Sequence, residues 1–266
     1  MGPWAILKLA LVAYYIDVYT SIIKKKFPKS YYVDFFAGPG LNEIKETGDI
    51  ILGSPLLAER VPSQNKKFDK LLLVETDPAR TNALGKLLPS ASIVPHDVNA
   101  TGINLITKEL TESNIPSLVF VDPEGLAIHW STLEKIFSCW CDVMINYQPT
   151  SVRRIVGSAR SNSVYEQSLN DFFGSDAWKA CSNDDELLGL YVQNIHNHRE
   201  VVIPIKVQSP ETFYYYIIIA VRKTAGSQSW IGAIHRAKAN IEQATSNDAK
   251  CFLDVYKGRQ ATMDGL

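Results

Sequence analysis

Short apolar runs closed by an acid recur along the first half of the chain, with polar stretches of helical character between them. Tyr31–Phe36 reads as a buried strand containing Asp34, and Gly38-Pro39-Gly40 follows it as a tight turn. Lys70–Glu75 predicts a second strand, Ser92–Asp97 a short third, Ser117–Asp122 a fourth and Asp142–Tyr147 a fifth. Helices are expected between them at about 55–62, 78–88, 101–113 and 130–139. Strands of this length, apolar on both faces and alternating with helices, predict a parallel sheet covered on both sides. Leu41–Leu52, with Asn42, Gly48 and several charges, reads as a loop. Gly53-Ser54-Pro55 opens a helix, with Ser54 as the N-cap and Pro55 in the first helical position.

The pattern changes towards the C-terminus. Val201–Val207 and Phe213–Val221 are separated only by 208–212, which permits a hairpin and not a parallel crossover. Five parallel strands and a terminal antiparallel hairpin predict an α/β chain with a mostly parallel seven-stranded sheet. That is the layout of a Rossmann-like class I methyltransferase fold and differs from the all-parallel sheet of a dinucleotide dehydrogenase. Residues 1–225 are expected to form this domain, with an N-terminal helix at 3–26 and a helical insert at about 148–200. Residues 226–266 are expected to be a C-terminal helical extension, including a helix at Ile231–Gln243.

Composition changes this picture little. A chain of 266 residues, 46% apolar and 21% charged, suits one domain with additions. A net charge of −1 argues against a general polyanion-binding surface. Cys139, Cys141, Cys181 and Cys251 show no metal-ligand spacing and read as idle thiols of a reducing compartment. Pro3–Ile23 is apolar, but Lys8 and Asp17 interrupt it. Leu7, Leu11, Tyr14, Tyr15 and Val18 recur at helical spacing, so an amphipathic helix closed by Lys24–Lys26 is expected, in a cytoplasmic protein without a membrane span.

The candidate chemistry lies at the strand ends. Asp34, Glu75, Asp97 and Asp122 close or follow four strands that a parallel sheet aligns, so the carboxylates are expected at the edge where such sheets bind ligands. S-adenosylmethionine (SAM), a cation with a ribose diol, an ammonium and an adenine amine, suits such a set. Glu75 is expected to accept the ribose hydroxyls, Asp97 to lie near the adenine edge and Asp34 near the ammonium. Gly38 and Gly40 permit close backbone approach, with Phe36 and Ser54 as further cofactor-binding residues. A nicotinamide dinucleotide would also use Glu75, but Leu41, Asn42 and Glu43 replace the remainder of a Gly-x-Gly-x-x-Gly turn.

Asp122-Pro123-Glu124-Gly125 is similar to the Asp-Pro-Pro-Tyr motif of amino methyltransferases, in which a carboxylate and a backbone carbonyl accept hydrogen bonds from an amine. Gly125 stands where that motif has its aromatic residue. Asp122 and Pro123 are therefore the candidate catalytic pair. Arg153, Arg154 and Arg160 form an acid-free basic stretch that reads as a candidate contact to the phosphates of a nucleic acid or nucleotide, with a solvated helix face as the alternative. Tyr214–Tyr216 reads as core and surface tyrosines before a stacking platform, and His196-x-His198 lacks a third metal ligand.

With these residues in place, the chain resembles the three-Cys-motif partner protein family. The matching elements are Val33–Gly40, Gly53-Ser54-Pro55, Val74-Glu75-x-Asp77, Phe120–Gly125 and Asn146, in that order. The resemblance implies a class I SAM-dependent methyltransferase-like fold of prokaryotic origin. It also implies a three-Cys-motif protein as partner. The expected function is methyl transfer to an amine of a nucleic acid or nucleotide. The alternative is a non-catalytic SAM-binding module that recruits nucleic acid or the partner protein.

Overall fold

In a computed structural model, the structure describes residues 4–45, 47–159, 163–208, 214–223 and 227–243, with 245, 248, 250, 251 and 254 beyond them. The chain packs as two compact units, Met1–Pro95 with Gly226–Leu266, and His96–Ala225. They contribute three and four strands to a mostly parallel set of seven that ends in an antiparallel hairpin, the α/β class expected from the sequence.

In the first unit, α1 (Trp4–Ile23) precedes β1 (Tyr31–Asp34), β2 (Leu41–Glu43), β3 (Ile50–Leu52) and α2 (Ser54–Arg60). Then come β4 (Lys70–Val74), α3 (Pro78–Leu87), β5 (Ser92–Val94) and the distant α9 (Ser227–Gln243). The order β5-β4-β1 is parallel, with Val33 opposite Leu72 and Leu73 opposite Ile93. Tyr32, Val33, Leu72, Leu73 and Val74 are buried on both faces, which is why these strands read as unbroken apolar runs.

Two expectations are corrected here. Leu41–Leu52 is an antiparallel hairpin, β2 with β3, turning at Gly48, whose φ is +68°. Helix α1 is apolar around most of its circumference, with Leu7, Leu9, Leu11, Val12, Tyr15, Ile16 and Tyr19 buried, so it is a core helix and not a one-faced one. Ala5–Ile23 is long and apolar enough by composition to cross a membrane, but most of those side chains are enclosed by protein. Lys24 does not simply complement the helix dipole: its Nζ pairs with Asp69 at 2.5 Å, and the same carboxylate receives Ser30 N at 2.9 Å. Helix α9 docks on α1 through Trp230, whose Nε1 donates to Tyr15 OH at 2.9 Å and whose ring meets Tyr19 edge-on at 5.2 Å.

In the second unit, a π-helical turn (Val98–Gly102) leads into α4 (Ile103–Ser113), β6 (Ser117–Val121), α5 (Trp130–Ser138) and β7 (Cys141–Tyr147). The expected helical insert is α6 (Pro149–Ala159), α7 (Ser163–Phe173) and α8 (Asp184–His196). The hairpin β8 (Val201–Gln208) and β9 (Tyr214–Val221) follows; Phe213, expected in its second strand, lies outside the described residues. The order is β6-β7-β9-β8, parallel for the first pair and antiparallel afterwards, with Ile145 opposite Ile218 and Ile217 opposite Ile205. Pro204 fits because β8 is the last strand in that order.

Aromatic rings fill the space beside β7. Tyr191 stacks on Phe172 at 4.7 Å and lies 5.2 Å from Tyr147, and Trp130 meets Tyr191 edge-on at 5.7 Å. Arg199, only 1% exposed, donates to the carbonyls of Phe137 at 2.7 Å and Cys141 at 3.3 Å, closing the C-terminal end of α5. Arg222 reaches the same end, 3.1 Å from the Phe137 carbonyl, and so also caps that helix. Burial pushes the Cys141 thiol up to about 12 although Arg199 opposes the shift, so this is a neutral core thiol.

Gly174 ends α7 with φ at +76°, and a Cβ there would lie 2.3 Å from Trp130 Cδ1. Gly174→Ala combines left-handed strain with overpacking and is expected to lower stability by about 2–5 kcal/mol. Gly189→Ala, in open space on α8, is expected to raise it by about 0.5–1 kcal/mol. Urea midpoints of the two variants check this, and equal midpoints would refute the steric account.

Candidate functional site

The first unit holds two turns joined by one carboxylate. Chain reversal after β1 is set by Asp34, which is fully buried; its Oδ1 accepts from Phe36 N at 3.2 Å and its Oδ2 from Tyr32 OH at 3.1 Å. Ala37 N then donates to Val74 O at 3.0 Å, so the turn stays registered with the end of β4. At that end stands Glu75, 8% exposed. Its Oε2 accepts from Gly38 N and its Oε1 from Asp77 N, each at 2.9 Å. Arg80 Nη1 lies 3.9 Å from Oε2.

The glycines do different work. Gly38 has φ at +63°, and nothing lies within 4 Å of the position a Cβ would take. Its backbone therefore borders open space, where a ligand could approach without meeting a side chain. Gly40, at φ +83°, is crowded instead: a Cβ would lie 3.2 Å from Leu84 and 3.3 Å from Leu87. The Gly40 carbonyl accepts from Gly53 N at 2.7 Å, and a Cβ on Gly53 would sit 2.9 Å from that oxygen. The Gly-Ser-Pro element is thus docked backbone to backbone on the first turn. Ser54 is not the N-cap expected of it. Gly53 holds the cap position, and Ser54 is the first residue of α2, 7% exposed. Phe36 is half-buried beside the turn.

Asp97, Asp122 and Pro123 lie in the second unit. Asp97 is exposed and opens the π-helical turn: its Oδ1 accepts from Asn99 N at 2.7 Å and its carbonyl from Gly102 N at 2.8 Å. Asn99, which sequence reasoning passed over, donates to Ala127 O at 2.7 Å and accepts from His129 N and Thr132 Oγ1, each at 2.9 Å. It fixes the segment after β6 against the turn that follows Asp97. Asp122 is half-buried, and its Oδ1 accepts from Asn146 Nδ2 at 2.6 Å. The carbonyl of buried Pro123 accepts from Gln148 Nε2 at 3.1 Å, while Gln148 Oε1 accepts from Ser151 Oγ at 3.1 Å. Glu124 is exposed, and Gly125 has φ at +66° with nothing within 4 Å of its Cβ position.

Of the basic stretch, Arg153 and Arg154 lie exposed on α6, and Arg160 lies outside the described residues. Arg153 Nη1 pairs with Asp184 at 3.0 Å, and Tyr214 OH donates to the same carboxylate at 2.8 Å. Burial first, and then that hydrogen bond, pushes the Tyr214 hydroxyl up to about 12. Tyr215 is buried between half-exposed Tyr214 and Tyr216, as strand alternation predicts. His198 stacks on Phe137 at 5.4 Å, and among the described residues no group of three His, Cys, Asp or Glu side chains gathers as a metal site.

No protein-family model matches the chain, and no curated protein does. Among solved structures it is similar to a Legionella pneumophila protein of family DUF519, at 13% identity and a TM-score of 0.51, over 85% of this chain and 89% of that one. It is also similar to the plantazolicin methyltransferase BpumL in complex with SAH, at 15% identity and a TM-score of 0.41, over 83% and 85% of the two chains. Human methyltransferase-like protein 13 in complex with SAH matches at 11% identity and a TM-score of 0.45, over 88% and 92%. At 13% identity, the likeness to the Legionella protein speaks for the fold alone.

Proposed function

We propose that this chain is a SAM-dependent methyltransferase acting on an amine, in a nucleic acid or nucleotide. The observation that carries the reading is the Glu75 carboxylate, fixed by amides from both turns beside the open backbone of Gly38. A carboxylate has about four lone-pair sites. Two are taken by the amides, which leaves acceptors for a pair of ribose hydroxyls. Asp34 acts as the brace of the turn and as a buried negative charge toward a ligand ammonium; Asp97 is assigned to the adenine edge. When bound, SAM supplies an electrophilic methyl group. Asp122 and the Pro123 carbonyl then accept the N–H bonds of the amine and aim its lone pair, so that catalysis is mainly alignment.

Gly125 favours a second reading. It leaves no aromatic ring to stack a base where the Asp-Pro-Pro-Tyr motif has one, which suits a cofactor-binding module that recruits nucleic acid or a three-Cys-motif partner. Titration calorimetry with SAM tests both readings. Binding below millimolar concentration, with tritiated methyl appearing in a DNA, RNA or nucleotide pool, is the result expected of the enzyme. Binding with no transfer to any pool selects the module, and no binding removes both.

A further inference from the structure

Beyond Asp142, strand β7 is apolar except near its end. Val143, Met144, Ile145 and Tyr147 are buried, yet between the last two stands Asn146, only 5% exposed. Its Nδ2 donates to Asp122 at 2.6 Å, and its Oδ1 is buried with no hydrogen-bond partner among the described residues. Leaving a buried acceptor unsatisfied is a cost to folding. Valine or isoleucine would fit the strand without that cost. Two residues on, Gln148 donates to Pro123 O, and Ser151 fixes the orientation of that amide by donating to its oxygen. Gln148 lies one residue beyond the end of β7. Two side-chain amides therefore hold the two acceptors of the Asp122-Pro123 turn, one each.

We propose that Asn146 and Gln148 are positioning residues that set Asp122 and the Pro123 carbonyl as a preformed pair of acceptors for a nitrogen bearing two N–H bonds. The assignment rests on the amine-methyltransferase reading above and narrows its acceptor to primary or exocyclic amines. A carbonyl oxygen has two lone pairs and a carboxylate about four, so one amide donor does not exhaust either acceptor. The amide donors remove the rotational freedom of the carboxylate, so the incoming nitrogen meets a fixed geometry. The uncompensated Asn146 Oδ1 is the mark of a residue kept for what it holds and not for stability.

Sinefungin tests this without any acceptor substrate, because it carries a protonated amine where SAM carries its methyl sulfonium. Calorimetry on the full chain is expected to show sinefungin binding at least tenfold more tightly than S-adenosylhomocysteine, which has no such amine. In Asn146→Leu the ratio is expected to fall about tenfold with S-adenosylhomocysteine affinity unchanged, which also reports that the variant is folded. Gln148→Leu, at a half-buried position just after β7, is expected to lower the ratio about threefold and serves if the first variant does not fold. An unchanged ratio in the folded variant overturns the positioning role while leaving the cofactor reading intact. Binding of neither ligand to the wild-type protein overturns the cofactor reading and this inference with it.

Discussion

Asp122→Asn is expected to slow methyl transfer by about 10²–10⁴-fold while leaving SAM affinity within about threefold. The substitution keeps the size of the side chain but replaces one acceptor oxygen with an NH2 donor. Asn146 Nδ2 already donates to Asp122 Oδ1 at 2.6 Å, so the new amide must turn its oxygen towards Asn146 and its NH2 towards the incoming amine. Two donors then face each other where one acceptor is required. Cofactor contacts are assigned to other residues, chiefly Glu75, so binding and turnover should separate. Single-turnover transfer of tritiated methyl from SAM to a responsive nucleic-acid or nucleotide pool measures the first quantity, and calorimetry the second. Equal rates for wild type and variant would take Asp122 out of the acceptor site.

Most of the fold was legible because a strand buried on both faces has a simple signature. Four of the five parallel strands, runs of four to seven residues rich in Val, Ile, Leu and Phe, could be placed to within a residue or two, while Ser92–Val94 is three residues shorter than the run read for it. The hairpin was legible from its short connection alone. The two three-residue strands flanking Gly48 were not, since three residues are too few to show a period of two. Gly48 read as loop for a sound reason, its left-handed φ, but the same conformation lets the hairpin turn. Ser54 was misplaced because Gly53 needs its cap position for close approach to Gly40, which cap preferences do not foresee.

The strand-end acids could be named from the sequence, but not the groups that hold them. That Asp34 is sealed by Tyr32 and Phe36 is a local fact, within two positions, although the sequence suggested for it only a place near a ligand ammonium. The amides on Asp122 and Pro123 come from 24 and 25 residues away, and Asp184, which holds Arg153, from 31. No spacing rule reports such pairs, because the intervening helices decide them. The consequence for function is direct. Arg153 looked like a phosphate ligand in an acid-free stretch, but it faces a carboxylate that also holds Tyr214, so its charge is partly compensated within its own unit.

Glu75→Ala is expected to weaken SAM binding by about 10²–10⁴-fold. Two charge-assisted hydrogen bonds to a ribose diol are worth about 1.5–3 kcal/mol each, and about 1.4 kcal/mol is a factor of ten. The same side chain also receives Gly38 N and Asp77 N, so alanine strands two amides and loosens the turn that the cofactor must approach. Glu75→Gln separates the effects. It retains one acceptor oxygen, forces an NH2 against one of the two amides, and is expected to bind about tenfold more weakly than wild type. If the carboxylate served only to brace the turns, alanine and glutamine would lose thermal stability in step with affinity. If it holds the diol, 2′-deoxy-SAM should bind wild type about tenfold more weakly than SAM does, and the alanine variant should no longer distinguish the two. Calorimetry of both ligands on all three proteins reads this out, and a discrimination that persists without Glu75 would assign the ribose to another residue.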